Sequence, residues 1–588
     1  MRNATVGLLL VLVTVGFGFA AEPPLKPNVI VILSDDQGWG DLSLHGNSDL
    51  HTPHLDSLGT AGAQFERFYV QPVCSPTRAE FLTGRYHPRG GVRDVSTGGE
   101  RLNLDEKTIA DTFRAAGYAT GAFGKWHNGS QYPYHPNGRG FDEYYGFTSG
   151  HWGDYFSPPL DHNGKRIVGQ GFLADDLTTQ AIAFIGRNQR KPFFCYLAYN
   201  TPHSPMQVPD ADWDGFKTKG LKLQPTPPHK ADVPHTRAAL AMCQNLDGNV
   251  GRLLKSLDER KLTENTIVLF FCDNGPNGWR WNGGMKGRKG STDEGGVRSP
   301  LFVRWPGKIA AGLKVTAIAG AIDLLPTLAD LAGVKVVGDK PLDGTNVAKL
   351  LRSEKAEVPN RILFQHWNGK VSARSQTHRL DAEGKLFDLT ADPGQTTDLA
   401  AAKPDMTTAL TNAVSQWRRE VLAGQTKTDD RPFSVGYKAF PVTTLPARDG
   451  VPHGTIQRSA QAPNCSYFTN WTRVDDAITW PVEVATAGRY HAEILYTCRQ
   501  ENVGVTLELR FGNATVTRQV EAAHDPKGYG EANDRVPRVG ESYMKDFKPW
   551  AMGEIALPQG RGTLTLRATE IPGKQAVEVR SIVLTLLE

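Results

Sequence analysis

Two short apolar runs that each end on carboxyl or amide side chains constrain this chain more than any other feature. After Asn28 the residues Val-Ile-Val-Ile-Leu carry no polar side chain, and Ser34-Asp35-Asp36-Gln37-Gly38 follows at once. A strand without polar alternation is buried on both faces, the condition of a parallel sheet covered by helices. The run 266–272 repeats the pattern and ends at Asp273-Asn274. Helical patterns over 108–116 and 175–188 alternate with a further apolar run at 192–199, which predicts an α/β domain. Ligands in such sheets bind beyond the carboxyl ends of the strands, so Asp35, Asp36, Asp273 and Asn274 are placed to meet in one crevice.

The chain has 588 residues, enough for several units. Its organisation reads as a signal peptide over 1–20, an α/β domain with a mixed, mostly parallel sheet over 21–349, a smaller α+β subdomain over 350–423, a linker over 424–455 and a β-sandwich over 456–588. The subdomain rests on strand-like stretches at 361–366 and 385–389 and an amphipathic helix over 404–423 that opens with Pro404. The linker is a stretch of Asp, Arg, Pro, Gly and Thr without periodicity. In the sandwich, apolar runs at 480–484, 488–496, 505–511, 562–568 and 576–586 are separated by turn residues. Arg2, the uncharged run 6–19 and Gly18-Phe19-Ala20 predict a cleaved signal and a periplasmic or secreted protein with no membrane attachment after removal. That run is shorter than the ~20 residues of a spanning helix. The net charge of +4 gives no footprint for nucleic acid.

Carboxylates and an amide carbonyl are hard oxygen donors, so their convergence predicts Ca²⁺ or Mg²⁺ in preference to zinc. An Asp pair alone is more often a helix cap or solvated turn, and the weight lies in the combination. The sharpest local motif is Cys74-Ser75-Pro76-Thr77-Arg78, followed by Leu82-Thr83-Gly84-Arg85. A lone cysteine usually fills a core or joins a disulfide, but here Pro and Arg follow at fixed offsets.

With these residues the chain resembles the type I sulfatases of the alkaline-phosphatase-like superfamily, whose maturation motif is Cys-x-Pro-x-Arg. Gly124-Lys125-Trp126-His127, the segment 140–146 from Gly140 to Gly146, the run from Tyr196 to His203, Phe271-Cys-Asp-Asn-Gly275, the loop from Gly287 through Lys289 to Pro300, and the stretch from Leu386 to Pro393 are similar to further family elements. The resemblance spans about residues 27–423. It implies that Cys74 is oxidised by a formylglycine-generating enzyme to formylglycine, whose hydrate attacks sulfur in line, releases the alcohol and then expels sulfate. It also implies metal ligation by Asp35, Asp36, residue 74, Asp273 and Asn274, with Ca²⁺ favoured over Mg²⁺. Arg78 would hold the diol and Lys125 and Lys289 the sulfate; His127 would be the base for elimination and His203 the proton donor to the leaving alcohol.

Specificity is expected from aromatic and hydrogen-bonding groups on surrounding loops: His151, Trp152 and Asp154; Trp279, Arg280 and Trp281; and His366 with Arg374. The same aromatics equally suit packing of loops onto the core. Trp471, Trp480, Tyr490, Tyr496 and Trp550 in the sandwich fit either a carbohydrate-binding surface or a core, and Cys465 and Cys498 are candidates to pair. Asn128-Gly129-Ser130 is formally a glycosylation sequon but adjoins His127, so it is read as unused. The sequence therefore points to an exported enzyme that hydrolyses a sulfate ester of a sulfated mono-, oligo- or polysaccharide. A phosphonate or phosphodiester hydrolase of the same superfamily and a non-catalytic glycan binder are the alternatives.

Overall fold

The computed structural model describes residues 26–353, 356–357, 360–425 and 428–587. The signal segment expected at 1–20 lies outside them. Among the described residues the central sheet has ten strands, and its middle is parallel. Asn28–Ser34 lies between Thr266–Cys272 and Phe193–Ala198, followed outward by Ala119–Lys125 and Glu143–Phe147. Leu301–Arg304 runs antiparallel beside Thr266–Cys272, so the sheet is mixed.

The apolar run after Asn28 shows why the sheet must be covered twice. Its alternate side chains divide between two cores: Ile30 and Ile32 pack with helices Leu173–Asn188 and Val233–Glu259, while Val29, Val31 and Leu33 pack with Ile109–Ala115 and Leu324–Leu331. Successive side chains of a strand point to opposite faces, so a run apolar at every position has to be sandwiched. The register sets Ser34 beside Cys272 and Leu33 beside Ala198, so these strands end level. Asp35, Asp273 and the loop after Ala198 consequently emerge along one edge, where Asp273 N donates to Ser34 O (3.1 Å) and Asp35 N to Thr201 O (3.1 Å).

The subdomain is a four-stranded antiparallel sheet, Leu363–Trp367, Lys370–Arg374, His378–Leu380 and Leu386–Asp388, backed by helix Pro404–Val421. Beyond it two sheets enclose a separate apolar core. One contains Ala477–Val484, Gly560–Glu570, Thr506–Phe511 and Ala514–Gln519; the other contains Glu578–Leu586, Gly488–Thr497 and Lys548–Leu557.

The segment 424–455, expected to be a linker, is corrected by the structure. Phe433–Val435 and Val451–Pro452 pair with Ala477–Val484, and Val442–Pro446 pairs with Glu578–Leu586. These strands are too short to show a period in the sequence, and their pairing partners lie far along the chain. Trp471, Trp480, Tyr490 and Tyr496 are buried and Trp550 packs against the same core, so these rings form no open binding platform. Cys465 and Cys498 are free thiols; Cys465 Sγ donates to His151 O (3.3 Å) and Cys498 Sγ to Arg499 O (3.4 Å).

Arg448, in the same corrected segment, joins the sandwich to the α/β domain. Its guanidinium donates to Asp449 Oδ1 (2.8 Å), Ser149 Oγ (2.9 Å) and Ser130 Oγ (2.6 Å), with Glu100 Oε1 at 3.7 Å. Removing one partner of a buried charge network leaves the others uncompensated, at a cost of about 3–5 kcal/mol. Arg448→Met is therefore expected to lower the urea midpoint of unfolding by that equivalent. An unchanged midpoint would show that water already solvates Glu100 and Asp449.

Candidate active site

Cys74 opens the helix Cys74–Thr83, every residue of which is buried. The spacing Cys74, Pro76, Arg78 is intelligible on a helix: positions four apart share a face, and proline in the first turn removes an N–H that has no intrahelical acceptor. Arg78 thereby projects beside residue 74 into the crevice at the strand ends. Its Nε and Nη2 donate to Asp273 Oδ2 (3.2 and 2.8 Å), Nη1 donates to Lys125 O (2.9 Å), and Asp35 Oδ1 lies 3.8 Å away.

The acidic residues are interlocked. Asp36 adopts φ 66°, a left-handed conformation that turns the chain sharply after the strand. Its N–H donates to Asp273 Oδ1 (3.1 Å), and its carboxylate accepts from Asn274 Nδ2 (2.8 Å) and Lys289 Nζ (2.7 and 2.9 Å). Lys125, the last residue of its strand, donates to Asp35 Oδ2 (2.6 Å). Donor atoms of Asp35, Cys74 and Asp273 lie within 4.8 Å of one another, as do those of Asp35, Asp36 and His203.

Burial shifts these groups strongly. Burial and repulsion from Asp35 push Asp273 up to about 7, against the pull of Arg78. For Asp36 burial acts in the same upward direction, but Lys289, His203 and Lys125 outweigh it and hold the carboxyl well below the usual range. The thiol of Cys74 is pushed up by burial. Asp35 Oδ1 and Asn274 Oδ1 are buried oxygens with no hydrogen-bond partner among the described residues. Orphaned acceptors are costly unless something else satisfies them. An all-oxygen set from Asp35, Asp36, Asp273 and Asn274 fits a hard divalent cation. Three carboxylates against Arg78, Lys125 and Lys289 give formal neutrality, so a divalent cation would turn the pocket positive and suit it to an anionic ester.

Two histidines flank this centre. His127 Nε2 lies 2.7 Å from Val95 O and must carry the proton there, which leaves Nδ1 as the basic nitrogen; Nδ1 has no partner among the described residues. Burial and Lys125 depress the pKa, so the ring is neutral and able to accept a proton. His203 Nδ1 is fixed on Ser204 O (2.7 Å), and Nε2 faces Asp36 Oδ2 at 3.6 Å. Burial and Lys289 lower it to about 4, so the resting ring is neutral, with its proton on Nδ1 and Nε2 as the open nitrogen; only after taking up a proton is it a strong acid.

The loop residues separate into two groups. His151 is buried with its ring stacked on His203 at 5.8 Å, and its Nε2 has no partner among the described residues. Trp279 is half-buried, with Lys230 (4.4 Å) and Arg288 (5.4 Å) over its ring. The others hold the protein together. Arg280 spends its guanidinium on Asp41 (2.6 to 2.9 Å), Asn277 O and Asp36 O. Arg374 is fully buried against Glu294, Gln365, Ser372 and Thr292. These two cations are not available to a ligand, which corrects the expectation for them. His366 stacks on His87 (5.5 Å) beside Trp417, Trp281 packs on Gly40, Trp152 stacks on Phe147, and Asp154 accepts from Tyr155 N (3.0 Å).

Sequence reasoning missed Asp41, whose carboxylate orients Arg280 against the Asp36 backbone, and Tyr155, whose hydroxyl donates to His203 O and Ser204 O. Asp41 was legible as a third acid after the first strand. Tyr155 carried no signal. Asn128 is wholly buried and its Nδ2 donates to Ser75 O (3.3 Å) and Glu100 O (3.2 Å), so the folded chain offers no nitrogen there for a glycan.

Residues 27–334 match the family model described as Sulfatase, and residues 289–420 match that described as N-sulphoglucosamine sulphohydrolase, C-terminal. The chain belongs to the sulfatase family. It is a sulfuric ester hydrolase of the alkaline-phosphatase-like superfamily. It is 32% identical over 395 residues to N-acetylgalactosamine-6-sulfatase of the dog, Canis lupus familiaris, an alignment covering 61% of this chain and 72% of that one. Steryl-sulfatase of the mouse, Mus musculus, is 30% identical over 470 residues, covering 63% and 72%. Among solved structures, Ps i-CgsB superposes with a TM-score of 0.60 at 33% identity, over 67% of this chain and 92% of that one, and has also been solved with k-i-k-neocarrahexaose. Both sulfatase models end by residue 420, before the first sandwich strand at Phe433–Val435.

A cation that binds the folded sulfatase alone stabilises it by about 2.7 kcal/mol at a hundredfold excess over its dissociation constant. Adding Ca²⁺ or Mg²⁺ to chelator-treated protein is therefore expected to raise the melting temperature, by an amount that keeps growing with the logarithm of cation concentration above the dissociation constant, and Asp36→Ala to abolish the rise. A melting temperature indifferent to both ions and to chelator would argue against a cation at these residues.

Proposed function

We propose that this sulfatase is exported and hydrolyses an O-sulfate ester of a sulfated saccharide, using formylglycine at residue 74 and Ca²⁺. The observation that carries the reading is the convergence of Cys74, Asp35, Asp36, Asp273 and Asn274 with Arg78, Lys125 and Lys289 in one buried pocket. Support for the substrate class comes from relatives named N-acetylgalactosamine-6-sulfatase and from a neighbour solved in complex with k-i-k-neocarrahexaose. The signal-like segment at 1–20 supports delivery to the periplasm or beyond.

When present, the hydrated formylglycine and the cation supply the oxygen nucleophile and neutralise charge on the sulfate oxygens. The remaining work falls to the chain itself. Arg78, clamped by Asp273 and Lys125 O, orients residue 74. Lys125 and Lys289, now on Asp35 and Asp36, hold the equatorial sulfate oxygens, whose charge grows in the transition state. His203 Nε2 faces the leaving side and, once the ring has taken up a proton, passes it to the departing alkoxide and returns to the neutral form with Nδ1–H on Ser204 O, while His127 Nδ1 accepts the proton whose removal lets sulfate leave. Residue 74 is only 3% exposed and lies in a buried helix, so an enzyme that modifies it has to meet the segment before the α/β domain folds.

The test is sulfate release, measured by ion chromatography, from a panel of sulfated mono- and oligosaccharides with Ca²⁺ and protein co-produced with a formylglycine-generating enzyme. Matured protein is expected to release sulfate, and Cys74→Ala to lose ~10³-fold or more of that rate with unchanged thermal unfolding. Wild-type activity in Cys74→Ala, or silence of protein carrying formylglycine across the panel, would overturn the reading.

A further inference from the structure

The sandwich lies beyond both family models, yet it reaches the catalytic pocket at two points. On the His127 side, Gly150 N and Ser149 Oγ donate to Asn464 Oδ1 (3.3 and 3.4 Å), and Ser149 Oγ also donates to Asn464 O (3.1 Å). The approach is close enough that a Cβ on Gly150 would stand 2.5 Å from His127 Nε2 and 2.7 Å from Asn464 Nδ2. On the His203 side, Ser204 Oγ donates to Glu541 Oε1 at 2.5 Å, one residue from the proposed proton donor.

The segment carrying Glu541 is anchored along its length. Arg535 N donates to Met206 O (2.8 Å), Gln207 Nε2 to Gly530 O (3.0 Å) and Asp534 Oδ1 (2.8 Å), and Arg538 Nη1 to Gly153 O (2.6 Å). Arg538 is itself held by Asp534 (2.8 Å). These bonds fix residues 530–541 against the strand-end loop 203–208, which a tethered binding module would not do. Glu541 is half-buried, and its Oε2 has no hydrogen-bond partner among the described residues.

We propose that the C-terminal sandwich is a built-in wall of the active site, and that Glu541 is a specificity-determining residue accepting hydrogen bonds from hydroxyls of the saccharide leaving group. The inference rests on the sulfatase reading. In an in-line displacement the leaving oxygen departs opposite the nucleophile, on the side of its proton donor, which here is His203. A ring leaving there meets the 541 segment. The open cations anticipated in the sequence for a carboxylate-bearing sugar, Arg280 and Arg374, are consumed by Asp41 and Glu294. Beside Ser204 on the His203 side stands the Glu541 carboxylate, which accepts from neutral hydroxyls and repels a second anion.

The test compares matured full-length wild type with Glu541→Ala and Glu541→Gln on N-acetylgalactosamine 6-sulfate and on 4-methylumbelliferyl sulfate, whose leaving group carries no sugar hydroxyls. The ratio of kcat/KM for the sugar to that for the aryl ester is expected to fall about tenfold in Glu541→Ala, mainly through KM, and less in Glu541→Gln, which retains an acceptor oxygen. Parallel loss on both esters would mean a merely structural role, and an unchanged ratio would overturn the proposal equally. Wild type inactive on both esters and on every sugar of the panel above would count against the reading of a saccharide ester as substrate. Calorimetric titration of N-acetylgalactosamine then decides the wall separately: affinity lowered about tenfold in Glu541→Ala supports it, and equal affinity or no binding overturns it.

Discussion

The contact on which the site depends is the buried ion pair between Arg78 and Asp273. It ties the helix that begins at Cys74 to the end of the Thr266–Cys272 strand, and through Nη1 it reaches the end of the Ala119–Lys125 strand as well. Such a pair is expensive to bury and is weak evidence for stability. Its value lies in position: with Arg78 fixed, residue 74 can stand in only one place relative to Asp35 and Asp36. Burial, and after it repulsion from Asp35, raises Asp273, a condition that a cation bound there would relieve.

Around that centre, cations and acids fall into two uses. Lys125 and Lys289 sit on carboxylates at the pocket and can exchange them for an anionic substrate once a cation neutralises those acids. Arg280, Arg374 and Arg448 are permanently engaged with protein acceptors and give shape to the surrounding loops. The sandwich belongs to this second use. Arg448 and Arg538 lock it to the α/β domain, and that locking brings Asn464 and Glu541 to the pocket rim.

Much of this was legible residue by residue. The unbroken apolar run after Asn28 required a doubly covered sheet, and the acids after it required a site at the strand ends. The helix over Pro404–Val421 and most sandwich strands followed from amphipathic period and turn residues. The linker at 424–455 did not, because strands of two to five residues carry no measurable period and gain their identity only from partners such as Glu578–Leu586.

The sequence by itself determined which chemical groups the protein owns: the oxygen donors, the cysteine with Pro and Arg at fixed offsets, and the two motif-borne histidines. These are local facts, set by neighbours along the chain and by strand and helix periodicity. Tertiary structure alone decided which charges remain free. Whether an arginine answers a ligand or a protein carboxylate depends on what packs against it, as Asp41 does for Arg280 across 239 positions and Ser149 for Arg448 across 299. Burial and long-range pairing fix that choice, and neither leaves a local pattern to read.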